Sequence, residues 1–200
     1  MIIAETERLL IREFVLDDAQ QLAAILGDPE VMAYSVNGPL DLKATTRFIS
    51  ACTESYSQNG FGQWALVDRE SQALLGFCGL SRVSIEAEDA VEIGYRLSKS
   101  SWGKGLAAEA AAAVLHYGKA KKKLDSVVAI IAPAHSASIR VAEKVGFSEF
   151  ELAQYSGWAV RVYRQRWGFK GILYQTRCDA AAVLIKPTIP DPAALESALF

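Results

Sequence analysis

The chain is poor in residues that crosslink or hold metal. Its three cysteines, Cys52, Cys78 and Cys178, are scattered through 200 residues. Odd in number and without CxxC spacing, they favour neither a disulfide framework nor a zinc site. They read as reduced, buried thiols of a cytoplasmic protein. Long apolar runs are lacking too: the stretch Ala107–Leu115 is broken by Glu109 and is too short to span a bilayer. The opening MIIAETERLL carries acids before any apolar run, which is unlike a signal peptide. Charge of one sign is also lacking. A net charge of −2 gives no global pull toward nucleic acid or an anionic membrane. No internal repeat, low-complexity block or interdomain linker is evident. The reading is one domain over residues 1–185 with a proline-punctuated tail at 186–200, and no metal, nucleic-acid or membrane partner.

What is present suits a globular domain with a sizeable core: 51% apolar and 22% charged residues. Thr6–Phe14 reads as a strand, with Leu9 and Ile11 on one face and Arg8, Leu10 and Arg12 on the other. Asp17 is a plausible cap for a helix carrying Ala19, Leu22, Ile25 and Leu26. Val31–Tyr34 reads as a short extension. A second helix is expected from about Asp41 to Gln58, closed by Asn59-Gly60. Strands follow at Gly62–Asp68, Ala73–Val83 and Ala90–Ser98. After an alanine-rich helix comes Ser126–Ala132, a β-branched run expected to be buried on both faces. Ser136 is expected to cap a short helix, and Gly146 to end it. Phe147–Tyr155 and Gly171–Cys178 read as the arms of a closing hairpin. The arginine- and aromatic-rich segment between them, GWAVRVYRQRW, reads as strand or loop. This order fits an α/β (α+β) fold: a mixed sheet with helices on both faces.

One stretch carries chemistry. Val91, Ile93, Tyr95 and Leu97 alternate with Glu92, Gly94, Arg96 and Ser98, a strand with one buried face. A glycine-bearing turn, Trp102-Gly103-Lys104-Gly105, then leads into the alanine-rich helix from Leu106. The first turn of a helix has free N–H groups at the positive end of its dipole, a ready site for phosphate. Gly103 and Gly105 let the main chain approach a ligand without an intervening Cβ. The spacing is neither that of a Walker loop nor that of a dinucleotide fingerprint.

Three blocks carry a family resemblance. The first is Glu5 to Arg12 (ETERLLIR) with Asp17-Asp18-Ala19 and Asp28-Pro29-Glu30-Val31. The second runs from Glu92-Ile93-Gly94-Tyr95 through Trp102-Gly103-Lys104-Gly105-Leu106-Ala107 to Ala110. The third is His135 to Phe147 (HSASIRVAEKVGF). Together they resemble the GNAT superfamily of acetyl-CoA-dependent N-acetyltransferases, most closely the branch of the ribosomal-protein N-terminal alanine and serine acetyltransferases.

The resemblance implies a mostly antiparallel sheet of six to seven strands in which the fourth and fifth splay. Acetyl-CoA is the implied co-substrate, with no metal. Its pantetheine arm would lie along Tyr95, Arg96 and Leu97, and its pyrophosphate on Gly103, Lys104, Gly105, Leu106 and Ala107. His135 and Ser138 complete the expected cofactor contacts. Lys104 and some of Lys119–Lys123 are candidates to neutralise phosphate, although the lysine run reads first as a solvated helix end.

The sequence departs from the wider pattern at three positions. Trp102 stands where many members have Arg or Gln, and His135 where Asn is usual. Ala142 occupies the place of a Tyr that protonates the departing thiolate. Ser138, one turn upstream, is then the candidate proton donor, and Glu92 the candidate base. Each has a plainer reading: Glu92 as a surface carboxylate, and His135 as a capping or solvent-facing side chain. The implied reaction is acetyl transfer to an amine, either a small molecule or a protein N-terminus. An inactive acyl-CoA-binding sensor of the same fold is the alternative. A homodimer contact through edge strands or the Trp158–Trp167 segment is a further expectation, the alternative being that they close the acceptor site.

Overall fold

The structure, a computed structural model, describes residues 1–167. In chain order it contains β1 (Ile2–Glu5), β2 (Leu9–Arg12), α1 (Ala19–Leu26), α2 (Leu42–Asn59), β3 (Gln63–Asp68), β4 (Leu74–Ile85) and β5 (Glu88–Leu97). Then come α3 (Leu106–Ala120), β6 (Ser126–Ile131), α4 (Ser136–Lys144), β7 (Phe150–Tyr155) and β8 (Trp158–Arg166). The eight strands form one sheet in the order β1-β2-β3-β4-β5-β6-β8-β7. Every pairing is antiparallel except β5–β6.

Alternation along the central strands divides the core between two faces. Trp64 and Leu66 of β3 pack with Ile93 and Leu97 of β5 against the α3 side, where Ala110, Ala111 and Val114 are buried. Ala65 and Val67 point the other way, onto a second cluster with Leu22 and Leu26 of α1 and Ile49 and Cys52 of α2. Because both faces of β3 are covered, four of its six residues are buried. The small side chains of α3 let its backbone lie close to the sheet.

The exception in the sheet positions the site. β5 and β6 are joined at a single ladder position, Glu92 opposite Val128. Beyond it the two strands part, and an opening appears between Tyr95–Leu97 and the start of α4.

Several expectations are corrected. The strand expected over Thr6–Phe14 is the shorter β2, and it forms a hairpin with β1, closed by a turn in which the Thr6 hydroxyl accepts from the Leu9 N–H at 2.9 Å. That adds a strand and brings the total among the described residues to eight, against the six to seven expected. Asp18, not Asp17, is the tied residue before α1: it takes both ends of the Arg12 guanidinium at 2.7 Å. Val31–Tyr34 is turn rather than extended chain. Asp41 does cap α2, accepting from Ala44 N–H at 2.7 Å, and Gly60 closes the helix at φ +73°.

The closing hairpin uses Ser156-Gly157 as its turn, with φ of +49° and +80°. A two-residue turn with both φ positive matches the twist of the flanking strands. The arginine-aromatic segment is therefore β8 itself, an internal strand between β6 and β7. It offers no free edge for a dimer. The expected arm at Gly171–Cys178 and the tail boundary at residue 185 lie outside the described residues.

Candidate active site

The loop after β5 is built by local bonds. Trp102 Nε1–H donates to Leu97 O at 2.8 Å and folds the loop back over the strand end. Gly103 and Gly105 sit at φ +73° and +79°, a region in which a side chain is strained. Gly105 is the residue before α3 and provides no side-chain cap. The leading N–H groups of this 15-residue helix are thus left open at its positive end.

Two residues that the sequence did not single out hold this loop. Arg8 donates from Nη1 to Lys104 O at 2.8 Å and from Nε to Glu109 Oε2 at 2.7 Å. Glu109, in the first turn of α3, also accepts from the Thr6 hydroxyl at 2.6 Å and Arg8 N–H at 3.0 Å. Burial pushes the Glu109 carboxyl up, but the bonds from Thr6 and Arg8 outweigh it and hold it below the usual range. Both residues lie within the resemblance blocks, which was the available signal. Glu109→Ala is expected to free the loop and weaken acetyl-CoA binding about tenfold, the effect of losing one charge-assisted contact. Calorimetric titration measures it.

The opening between β5 and α4 is a cleft of about 650 Å³. Of the expected site residues, Tyr95, Arg96, Leu97, Gly103, Gly105, Leu106, Ala107, His135 and Ser138 line it together. Lys104 and Glu92 do not. Arg140 and Lys144 of α4 do, and they are cations the sequence reading passed over. Lys119–Lys123 lies at the opposite end of α3, about 20 Å from the loop at 1.5 Å per helical residue. The plainer reading of that run as a helix end therefore holds.

Ser138 has a partner. The Tyr95 hydroxyl shares a 2.7 Å hydrogen bond with Ser138 Oγ. Burial pushes the Tyr95 phenol up to about 12, so it keeps its proton at neutral pH. Ala142, one turn further along α4, is buried in the core and brings no hydroxyl to the cleft. The sequence pointed to Tyr95 for its main chain alone.

His135 is the residue before α4, where its side chain makes no capping bond. It stacks on Tyr34 instead, with ring centroids 4.1 Å apart and planes at 11°. Burial, with the nearby Arg96 charge, lowers its pKa to about 4. Its imidazole is therefore neutral at pH 7. Tyr34 also donates to Ala134 O at 3.4 Å, so its ring bridges the α1–α2 connection and the start of α4. Trp64 is fully buried between Tyr56 and Tyr117 and does not line this cleft.

Glu92 is half-buried on the face of β5 opposite Ile93. Burial raises its carboxyl to about 7, against the pull of Arg96. Among the described residues no cluster of metal-ligating side chains occurs, and no helix is long and apolar enough to cross a membrane.

The sheet splits beside an open helix N-terminus, and a hydroxyl pair stands in the same cleft. A family model described as "Acetyltransferase (GNAT) domain" matches residues 8–148. The chain belongs to that family, and it is an acyltransferase. It is 32% identical over 150 residues to the uncharacterised protein YkkB of Bacillus subtilis, covering 75% of this chain and 87% of that one. It shares its fold with a GNAT-family acetyltransferase from Bacillus anthracis (TM-score 0.71, 27% identity, 83% of this chain and 98% of that one). It also has the fold of RimL, a ribosomal L7/L12 α-N-protein acetyltransferase solved with coenzyme A. There the TM-score is 0.68 and the identity 19%, over 83% of this chain and 98% of the other.

Proposed function

We propose that the protein is an acetyl-CoA-dependent N-acetyltransferase that acts on a primary amine in the cytoplasm. The single observation that carries this is the convergence of the uncapped N-terminus of α3 and the Tyr95–Ser138 pair on one cleft. The coenzyme A in the RimL structure supports the cofactor, and the buried, unpaired Cys52 and Cys78 suit a reducing compartment. The N–H groups from Gly103 to Ala107 hold the pyrophosphate, and the main chain of Tyr95–Leu97 holds the pantetheine arm. Acetyl-CoA supplies an activated thioester.

Glu92 takes a proton from the acceptor ammonium, through water, and leaves a neutral amine. The amine nitrogen then forms a bond to the thioester carbon. Main-chain N–H groups near Ile93–Tyr95 meet the charge that develops on the carbonyl oxygen. As the C–S bond breaks, Ser138 gives its proton to the sulfur and is reprotonated from Tyr95. The acylated nitrogen sheds its remaining extra proton through water to the Tyr95 phenolate, and Glu92 releases the proton it took to solvent. The products are an N-acetyl amide and a free thiol.

The test is thiol release from acetyl-CoA against a panel of amines and peptide N-termini. Turnover on one class supports the transferase; tight binding with no turnover on any amine supports the inactive sensor instead. Ser138→Ala is expected to lower kcat about 10²-fold, the scale of losing a general acid. Tyr95→Phe should cost less, and the double variant no more than Ser138→Ala alone, because the two hydroxyls act in series. Additive losses in kcat would separate them.

A further inference from the structure

We infer that the acceptor is an aminocarboxylate, a small molecule of the amino-acid class, with its carboxylate on Arg96. This deepens the proposed transferase reading and rests on it. Glu92, Gly94 and Arg96 follow one another on one face of β5, opposite Ile93 and Leu97, which face α3. The middle position carries no side chain. A Cβ at Gly94 would meet only the Gln63 amide, 3.2 Å away. The Gln63 amide thus lies over the position that Gly94 leaves without a side chain, between a carboxyl and a guanidinium.

Gln63 closes the same face from β3. Its Nε2 donates to Ser81 Oγ at 2.8 Å, and Ser81 is the ladder partner of Glu92. Its Oε1 is buried and, among the described residues, has no hydrogen-bond donor. A buried carbonyl left without a donor is costly and rare, and an acceptor N–H beside Gly94 would satisfy it.

Arg96 is the other pole. Its Nη1 donates to Tyr95 O at 2.9 Å and its Nη2 to Tyr34 O at 3.5 Å, both neutral oxygens. Among the described residues it enters no ion pair. Its side chain is half-buried and lines the cleft. The strand alternation places it on the face away from α3, whose N-terminus is the phosphate site. A half-buried guanidinium with free N–H groups and no ion-paired carboxylate among the described residues fits a ligand carboxylate, which can accept two of them. The same charge disfavours a polyamine. The ladder spacing, about 3.3 Å per residue, puts Glu92 and Arg96 about 13 Å apart at the main chain. A molecule with its carboxylate on Arg96 would extend its amine along the strand toward Glu92 and meet it through water.

The experiment compares each of a set of amino acids with the amine that lacks its carboxylate, in thiol-release kinetics with the full chain. Spermidine and peptides with an acidic second residue are included, and acetyl-CoA binding is measured separately by calorimetry. At least one amino acid is expected to exceed its decarboxylated partner by about 100-fold in kcat/KM. Arg96→Gln should shrink that ratio to about threefold by raising the acceptor KM, while Arg96→Lys keeps part of it; melting curves report that both variants fold. Equal rates for the pair, a preference for spermidine or peptides, or no turnover of any amino acid overturns the inference. Loss of acetyl-CoA binding would instead overturn the transferase reading beneath it.

Discussion

Glu92→Gln is expected to lower kcat/KM about 10²- to 10³-fold at pH 8 and to make the protein more stable at the same time. The first effect follows from the proposed role of Glu92 as base, with general-base catalysis worth about 10²–10⁴. Its carboxyl, raised to about 7 by burial, is ionised at pH 8 and protonated at pH 6. The wild-type rate should therefore fall as pH drops through about 7, and the variant should lose that limb. The second effect is linkage. A carboxyl whose folded pKa lies above its ordinary value of 4.5 gives the folded chain the extra proton, so stability falls as pH rises from 4.5 to about 7. Glutamine removes that cost, about 2 kcal/mol above pH 7 after allowing for partial exposure. The melting temperature should rise by about 4–8 °C at pH 8 and stay unchanged at pH 4. A carboxylate placed only for structure would give a variant of full activity.

Gly105→Val is expected to weaken acetyl-CoA binding by at least about 100-fold, with a loss of stability of only about 1–2 kcal/mol. The residue sits at φ +79° before α3, where a β-branched side chain is strained. The space itself is open, since an added Cβ would meet only the Arg8 guanidinium at 3.7 Å. The cost to folding is thus the backbone term alone. The cost to binding is larger: relaxing φ turns away the first N–H groups of α3, and the side chain stands where phosphate would approach. Calorimetry and thermal melting of one variant separate the two effects. Binding that falls only as far as stability does would mean that the loop is a turn and nothing more.

The parts that were legible in the sequence are those fixed by short-range pattern. β5 shows in the alternation of Val91, Ile93, Tyr95 and Leu97, and α3 in its run of alanines after two glycines. The helix limits at Asp41 and Gly60 follow from capping chemistry. The missed parts depend on contacts between distant residues. Alternation puts Glu92 opposite the α3 core, but it does not tell that the second face is covered deeply enough to raise its pKa. Tyr34 meets His135 across 101 positions of sequence, and Arg8 meets Glu109 across as many. Tyr95 finds Ser138 from 43 positions away. The β8 strand was ambiguous for a local reason: arginines interrupt its apolar alternation, and the Ser156-Gly157 turn that defines it is only two residues long.

The most direct test of the central claim, that this cleft holds acetyl-CoA through the loop before α3, is calorimetric titration of acetyl-CoA into the wild-type protein. One-site binding with a dissociation constant of about 1–100 μM, weakened by rising salt as phosphate contacts are screened, is the predicted result. The absence of binding at millimolar acetyl-CoA would contradict it, and with it the roles given to Gly103–Ala107, Ser138 and Glu92.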